Sequence, residues 1–255
     1  MKRPTLIILL LTLAFLSCSK DNMGGNNCFL TEVKSETGYT KYAFEYKNAE
    51  LSRLRDFAHN SLPEGMIYNV DYITRDSLII RADYPGSTPI LSAKYDGNLL
   101  VELREFTGDH YLYKFSYYSE KIQVQQYYFS YESPGLVRYQ KVAYADYFFD
   151  TNNNVRNMKE YRYDTANSQI ATLYNNIVFT YDTAYNPLKG NIYLNFWVYY
   201  NQVPLASFFN TNNILSKTIN DQNTLNFDYE YDAKNNTTKG GIYPTVAEYY
   251  AFECF

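Results

Sequence analysis

The chain has 255 residues, of which 30 are Tyr, 16 Phe and 1 Trp, with 20% charged residues, 11 Gly and 8 Pro. An apolar share of 46% is too high for a disordered chain, the Gly and Pro counts exclude collagen-like and Pro-rich tracts, and two His leave little room for metal or triad chemistry. Tyrosine is a strand former with an apolar ring and a hydroxyl that prefers water, so its excess points to extended β-structure with many half-exposed positions.

Along the chain, the first element is a leader. Lys2 and Arg3 precede an apolar run of 11 residues, 6–16, followed by Ser17 and Cys18. Such a run is too short to cross a hydrocarbon core of about 30 Å and reads as a secretory signal. The small residue before Cys18 resembles the lipobox of bacterial lipoproteins, with Phe15 and Leu16 departing from its usual Leu and small residue. That resemblance implies cleavage before Cys18 and lipidation of this cysteine. A polar tether follows at residues 19–27, as a membrane-hung domain requires. The expected division is therefore a signal peptide at 1–17, a lipidated cysteine and flexible tether at 18–27, and a single domain at 28–255. Ser19-Lys20-Asp21 resembles the export signals of Bacteroidota lipoproteins, which implies an outer-membrane location with the domain facing the cell exterior. Without Lys2 and Arg3 the chain carries 21 basic against 27 acidic side chains, a net charge of −6. Nucleic-acid binding is disfavoured, because no Lys/Arg run is present to neutralise phosphates.

From residue 28 onward one unit recurs: an alternating aromatic strand, a turn opened by Asp or Asn, and a second alternating strand. In the first half its turns fall near Lys47, Arg75, Asp96 and Ser119. Clear copies are Tyr161-Arg162-Tyr163-Asp164, Phe179-Thr180-Tyr181-Asp182 and Tyr229-Glu230-Tyr231-Asp232; Ala93-Lys94-Tyr95-Asp96-Gly97 and Tyr147-Phe148-Phe149-Asp150 are looser. Tyr-x-Tyr puts two rings on one face of a strand, Asp accepts from backbone N–H groups ahead of it, and Asn or Gly tolerates the left-handed conformation of a tight reversal. A lone hairpin is marginal in water, so the copies must pair. The expected fold is all-β: consecutive antiparallel hairpins forming one large, twisted and curved meander sheet, barrel-like if its edges meet. Two stretches break the rhythm. Residues 48–60 read either as a helix with Leu51, Leu54 and Ala58 on one face or, preferably, as the return strand of the first hairpin. Residues 191–210, with Trp197 and Phe208-Phe209, read as a short helix or loop covering one end of the sheet, with Trp197 in a packing role.

The Tyr-Asp punctuation is similar to the YD repeats of large bacterial surface and toxin-shell proteins. It resembles more closely a family of Bacteroidota lipoproteins of unknown function with a degenerate version of the repeat. The residues that carry this likeness are Tyr181-Asp182-Thr183-Ala184-Tyr185-Asn186-Pro187-Leu188-Lys189-Gly190, the Asn-rich break Asn210-Thr211-Asn212-Asn213-Ile214, and a final aromatic hairpin. The likeness covers roughly residues 39–245 and implies fold and location, with no activity to carry over.

Few constellations support catalysis. Asp109-His110 is the one adjacent His–acid pair; neighbouring residues in a strand or turn point apart, and no Gly-x-Ser-x-Gly elbow is present. Asp150, Asn152 and Asn154 have the spacing of a calcium loop, but Val155 stands where its Gly belongs and Tyr161 where its bidentate Glu belongs. No zinc motif and no phosphate loop occurs, so no metal and no cofactor is expected. Cys28 and Cys254 stand at the two ends of the domain, where they either pair as a disulfide or remain buried thiols. Asp76-Ser77-Leu78, Asp164-Thr165-Ala166 and Asp182-Thr183-Ala184 resemble the O-glycosylation motif of Bacteroidota, which implies glycan on Ser77, Thr165 and Thr183; turn chemistry explains the last two equally well. The functional expectation is a lipid-anchored surface protein acting as a non-catalytic binding or scaffold module. Its partners are the membrane, through the lipid, and a glycan or protein ligand. The competing readings are a glycan binder using exposed aromatics and a hydrolase acting on glycans or peptides.

Overall fold

A computed structural model describes residues 28–48, 50–58, 65–106, 110–133, 136–164, 169–191, 193–198, 206–243 and 246–254. The leader, Cys18 and the tether lie outside the described residues, as do His59, Asp109 and Thr165.

The first seven strands are β1 (Cys28–Ser35), β2 (Thr40–Lys47), β3 (Glu50–Asp56), β4 (Met66–Thr74), β5 (Ser77–Ala82), β6 (Pro89–Asp96) and β7 (Leu99–Glu105). Five longer or more central ones follow: β8 (Tyr111–Tyr117), β9 (Lys121–Ser133), β10 (Leu136–Phe149), β11 (Val155–Tyr163) and β12 (Ala171–Tyr185). After an insertion come β13 (Asn212–Ile219), β14 (Asn223–Asn226), β15 (Glu230–Tyr231), β16 (Thr237–Tyr243) and β17 (Val246–Cys254). These strands belong to one 17-stranded antiparallel sheet. Each strand from β1 to β13 pairs with its successor, β15 pairs with β16 and β16 with β17, and β17 returns to pair with β1. The side chain of Lys41 on β2 spans β1 to reach Glu248 on β17 at 2.7 Å, which ties the first and last hairpins together.

Period-two alternation gives every strand one apolar face. In β2, Tyr42 and Phe44 are buried while Glu45 and Lys47 are exposed; in β5, Leu78, Ile80 and Ala82 point inward; in β9, Ile122 and Val124 do so. These faces meet in one contiguous core that runs from Leu30 on β1 to Ile214 on β13, so the sheet curves round on itself. Residues 50–56 form a strand rather than a helix, β3, which pairs with β2 on one side and β4 on the other.

The turns follow their chemistry. Asn48 and Gly97 take left-handed φ values of 53° and 60° at the reversals after β2 and β6. Asp150 Oδ1 accepts from the backbone N–H of Asn152 at 2.8 Å and of Asn154 at 2.9 Å, and Asp232 Oδ1 does the same for Lys234 and Asn236. Asp182 differs. It lies within β12 at an irregularity where pairing to β13 jumps from Tyr181 to Tyr185, and the reversal comes later, from Asn186 onward. Its Oδ1 accepts from Ala184 N at 3.0 Å, as a turn-capping Asp would, while the carboxylate also reaches across to Asn213 on β13 and Tyr231 on β15.

The sheet is not closed by a continuous ladder. β14 and β15 are two pieces of one strand broken at Phe227–Tyr229; β14 pairs with β13 and β15 with β16. At the break Tyr229 lies over Gly240, where any Cβ would collide with its ring. Across the gap a single bridge joins Tyr185 to Asn236.

The register sets Cys28 directly opposite Cys254. Residues facing each other in an antiparallel ladder have Cα atoms about 4.5–5.5 Å apart, within the span that disulfides bridge. Under oxidising conditions the pair is expected to close, so that alkylation labels neither cysteine before reduction and both after it. Reduction is then expected to lower stability by about 2–5 kcal/mol, because the bridge constrains nearly the whole unfolded chain. Full alkylation of the unreduced folded protein after denaturation would show two free thiols.

Candidate functional site

The most elaborate arrangement of polar groups lies where residues 186–211 connect β12 to β13. This insertion holds a π-helical turn (Tyr193–Val198) and the short helix α1 (Ala206–Phe209). Asparagine side chains hold it in shape: Asn186 Oδ1 accepts from Leu188 N at 2.9 Å and Asn191 Oδ1 from Leu194 N at 2.9 Å. Asn195 donates to the carbonyls of Leu188 at 2.7 Å and Asn191 at 2.8 Å, while its own oxygen accepts from Ser207 Oγ at 2.5 Å. Asn186, Asn195 and Asn210 are each at most 3% exposed, so these bonds replace water for backbone groups that have none.

The same chemistry binds the insertion to the sheet. Asn210 Oδ1 accepts from Val155 N at 2.7 Å, and Asn154 Oδ1 accepts from the N–H groups of Thr211 at 3.0 Å and Asn212 at 2.9 Å. At the open seam Asp182 accepts from the Asn213 amide at 2.9 Å and from the Tyr231 hydroxyl, and Asn213 donates to Thr237 Oγ1 at 2.7 Å. The break between β14 and β15 is thus stitched by side chains where backbone pairing fails.

Aromatic rings carry the insertion into the core. Tyr193 packs edge-on to Tyr42 at 6.3 Å and tilted to Tyr68 at 5.7 Å, and its hydroxyl donates to Asp56 Oδ2 at 2.7 Å. Asp56 is fully buried and also accepts from Ala58 N. Phe209 meets Tyr147 at 5.3 Å, Phe149 at 6.2 Å and Phe115 at 6.4 Å. The insertion therefore touches the inner face on β2, β3 and β4 at one side and on β8 and β10 at the other. It fills the interior rather than covering one end of the sheet. A cavity of about 20 Å³ beside it, room for a single water, is lined by Asn186, Pro187, Leu188, Ser207, Asn213, Ile214, Phe227, Tyr229 and Tyr250. No carboxylate lines it.

The residues singled out from the sequence are dispersed. The His110 ring stacks on Phe129 at 5.5 Å, and its backbone carbonyl accepts from Phe129 N. Asp150, Asn152 and Asn154 form a turn, and among the described residues no group of three metal-ligating side chains converges. Ser77 begins β5 and bonds Thr74 Oγ1 at 2.8 Å; Thr183 is exposed on the β12 irregularity, away from any hairpin tip. The backbone of Trp197 lies in the π-helical turn. Sequence reasoning missed the asparagine network. Its signal was present in Asn210-Thr211-Asn212-Asn213, which reads locally as a loop because the partners, Asn154 and Asp182, lie dozens of residues away.

Solved structures share this fold, two porin-like proteins among them. A porin-like protein from Bacteroides vulgatus ATCC 8482 aligns with 88% of this chain and 98% of its own at a TM-score of 0.54 and 13% identity. A porin-like protein from Bacteroides uniformis ATCC 8492 aligns with 83% and 89% at 0.50 and 14%. No protein-family model and no curated protein matches the chain. At these identities the likeness is one of architecture. A membrane-spanning barrel turns an apolar band outward and a polar lumen inward, and the interior of this sheet is unlike such a lumen. Here the inner face is apolar and filled, and the outer face carries ion pairs such as Arg81–Asp71 at 2.7 Å, Arg104–Glu102 at 2.9 Å and Lys94–Glu102 at 3.3 Å.

Burial raises the hydroxyl pKa of Tyr46, Tyr181, Tyr193, Tyr229 and Tyr250 above the ordinary 10.0, with Asp56 beside Tyr193 and Asp182 beside Tyr229 adding to it. The folded state thus holds these protons more tightly than the unfolded chain. Their stabilising effect is complete below pH 10.0 and is lost as pH rises above it. In an alkaline titration the tyrosinate absorbance of this group is expected to appear in one step together with unfolding. Smooth ionisation of every tyrosine near pH 10 with the fold intact would contradict the burial described.

Proposed function

We propose that the chain is a lipid-anchored protein of the outer membrane, facing the cell exterior, whose β domain is a non-catalytic binding or scaffold module. The observation that carries this reading is the apolar, filled interior of the sheet together with the ion pairs on its outer face. Each mid-strand Arg or Lys on the outer face would cost about 2–4 kcal/mol at a bilayer midplane, so the domain belongs in water and needs another means of attachment. The lipobox-like Leu16-Ser17-Cys18 supplies one, and the polar residues 19–27 supply the tether. The likeness to YD-repeat lipoproteins of Bacteroidota belongs to the same proposal, and the shared architecture with porin-like Bacteroides proteins supports it at the level of fold.

Metabolic labelling with a palmitate analogue tests the anchor. The wild-type chain is expected to take up label and to fractionate with the outer membrane, whereas Cys18→Ala takes up none and is released as a soluble, folded protein. Membrane retention of the unlabelled Cys18→Ala protein would mean that the β domain inserts by itself and would overturn the reading.

A further inference from the structure

We infer that the outer face of β8–β11 is a binding surface for an anionic polysaccharide; this rests on the proposed display of the domain outside the cell. Outward positions on these strands form a row that alternates between cations and rings. The Lys114 Nζ on β8 sits over the Tyr127 ring of β9 at 5.7 Å, Lys141 on β10 stands opposite Tyr127, and Lys141 Nζ sits over the Tyr163 ring of β11 at 5.6 Å. Tyr163 lies across β10, since its hydroxyl reaches Gln125 Oε1 on β9 at 3.1 Å. Next to this row Lys159 stands opposite Asp146 and over the Phe148 ring at 5.7 Å.

The charge on this face is unlike that on the rest of the sheet. On β2–β7 the mid-strand outward cations are matched, with Arg53 and Arg55 near Glu45, Arg81 on Asp71, and Lys94 and Arg104 on Glu102, leaving Lys47 at the end of β2 without an ion pair among the described residues. On β8–β11 Asp146 is taken by Lys121 at 2.7 Å. Among the described residues Lys114, Lys141 and Lys159 make no ion pair. A chain of net charge −4 thus gathers uncompensated positive charge on one stripe.

The geometry selects among polyanions. Lys114 and Lys141 stand two strands apart, about 10 Å, which is comparable with the repeat of two sugars in an extended polysaccharide. Between and beside them the rings offer apolar surface to the C–H faces of sugars, and the lysines offer donors to carboxylate, sulfate or phosphate groups. The outer face of a sheet that curves round its own core is convex, so it meets a flat bilayer along a line and a single polymer chain along its length.

The test is calorimetric titration of the full mature chain in detergent with oligogalacturonate, with its fully methyl-esterified form as the uncharged control, and with a heparin-derived oligosaccharide. At least one acidic oligosaccharide is expected to bind. The methyl ester, and the combined variant Lys114→Ala, Lys141→Ala, Lys159→Ala, are each expected to lower affinity by about tenfold or more. Tyr163→Ala is expected to weaken binding several-fold and Lys94→Ala on β6 to leave it unchanged, with unaltered thermal melts confirming that the variants fold. The proposal is overturned if neither acidic oligosaccharide binds or if the triple variant binds normally. Binding that ignores Tyr163→Ala and vanishes with modest salt would mark unspecific attraction of polyanions and overturn it too. Capture of phosphatidylglycerol vesicles in preference to the oligosaccharides would assign the face to a lipid surface. None of these failures would alter the palmitate labelling of Cys18, so the anchored reading stands or falls separately.

Discussion

A single β-sheet patterned apolar on one face has to cover that face, and everything else in this structure follows from how it does so. No second sheet and no long helix is present among the described residues to form another layer. The sheet curves until its apolar face meets itself, and Leu188, Tyr193, Leu194, Ala206, Phe208 and Phe209 of its own insertion pack into the same core. Burying a stretch of non-repetitive backbone would strand many N–H and C=O groups. Asparagine resolves this because its amide both donates and accepts and is short enough to reach its own neighbourhood. Asn186, Asn195 and Asn210 are consequently as buried as the Phe208 and Phe209 rings beside them.

The seam separates β13 and β14 from β15 and β16. The strand that should join them is broken at Phe227–Tyr229, with Phe227 turned into the core and Tyr229 laid over Gly240. Asp182, Asn213, Tyr231 and Thr237 then replace ladder bonds with side-chain bonds. An exposed sheet edge invites association with other chains, and here both edges are turned toward each other and bridged.

Much of the fold was legible because hairpins are local. Period-two alternation and Asp, Asn or Gly at the reversals specify β2–β3 or β6–β7 within about twenty residues, and turns near Lys47, Arg75, Asp96 and Ser119 fall where the structure has them. Asp182 was misread as a turn because Tyr-Asp looks the same in a hairpin and in a strand whose carboxylate is needed by a partner some 30 or 50 residues on. The place of Tyr193 and of Phe208-Phe209 in the core was equally hidden, since Tyr193 finds Asp56 across 137 residues of chain. Long-range partners of this kind carry no local signature. The outer row of Lys114, Tyr127, Lys141 and Tyr163 was likewise invisible, because alternation says which residues share a face of one strand and not which strands lie side by side.

The interior of the sheet is filled and its outer face carries ion pairs, on a framework shared with porin-like proteins. The claim on which this depends is that the insertion is core rather than loop. Hydrogen–deuterium exchange read by mass spectrometry addresses it directly. Peptides covering residues 186–195 and 206–210 are expected to exchange as slowly as those from β5 and β11, opening only with global unfolding. Exchange of those peptides at the rate of the exposed turns would place the insertion outside the core and contradict the account.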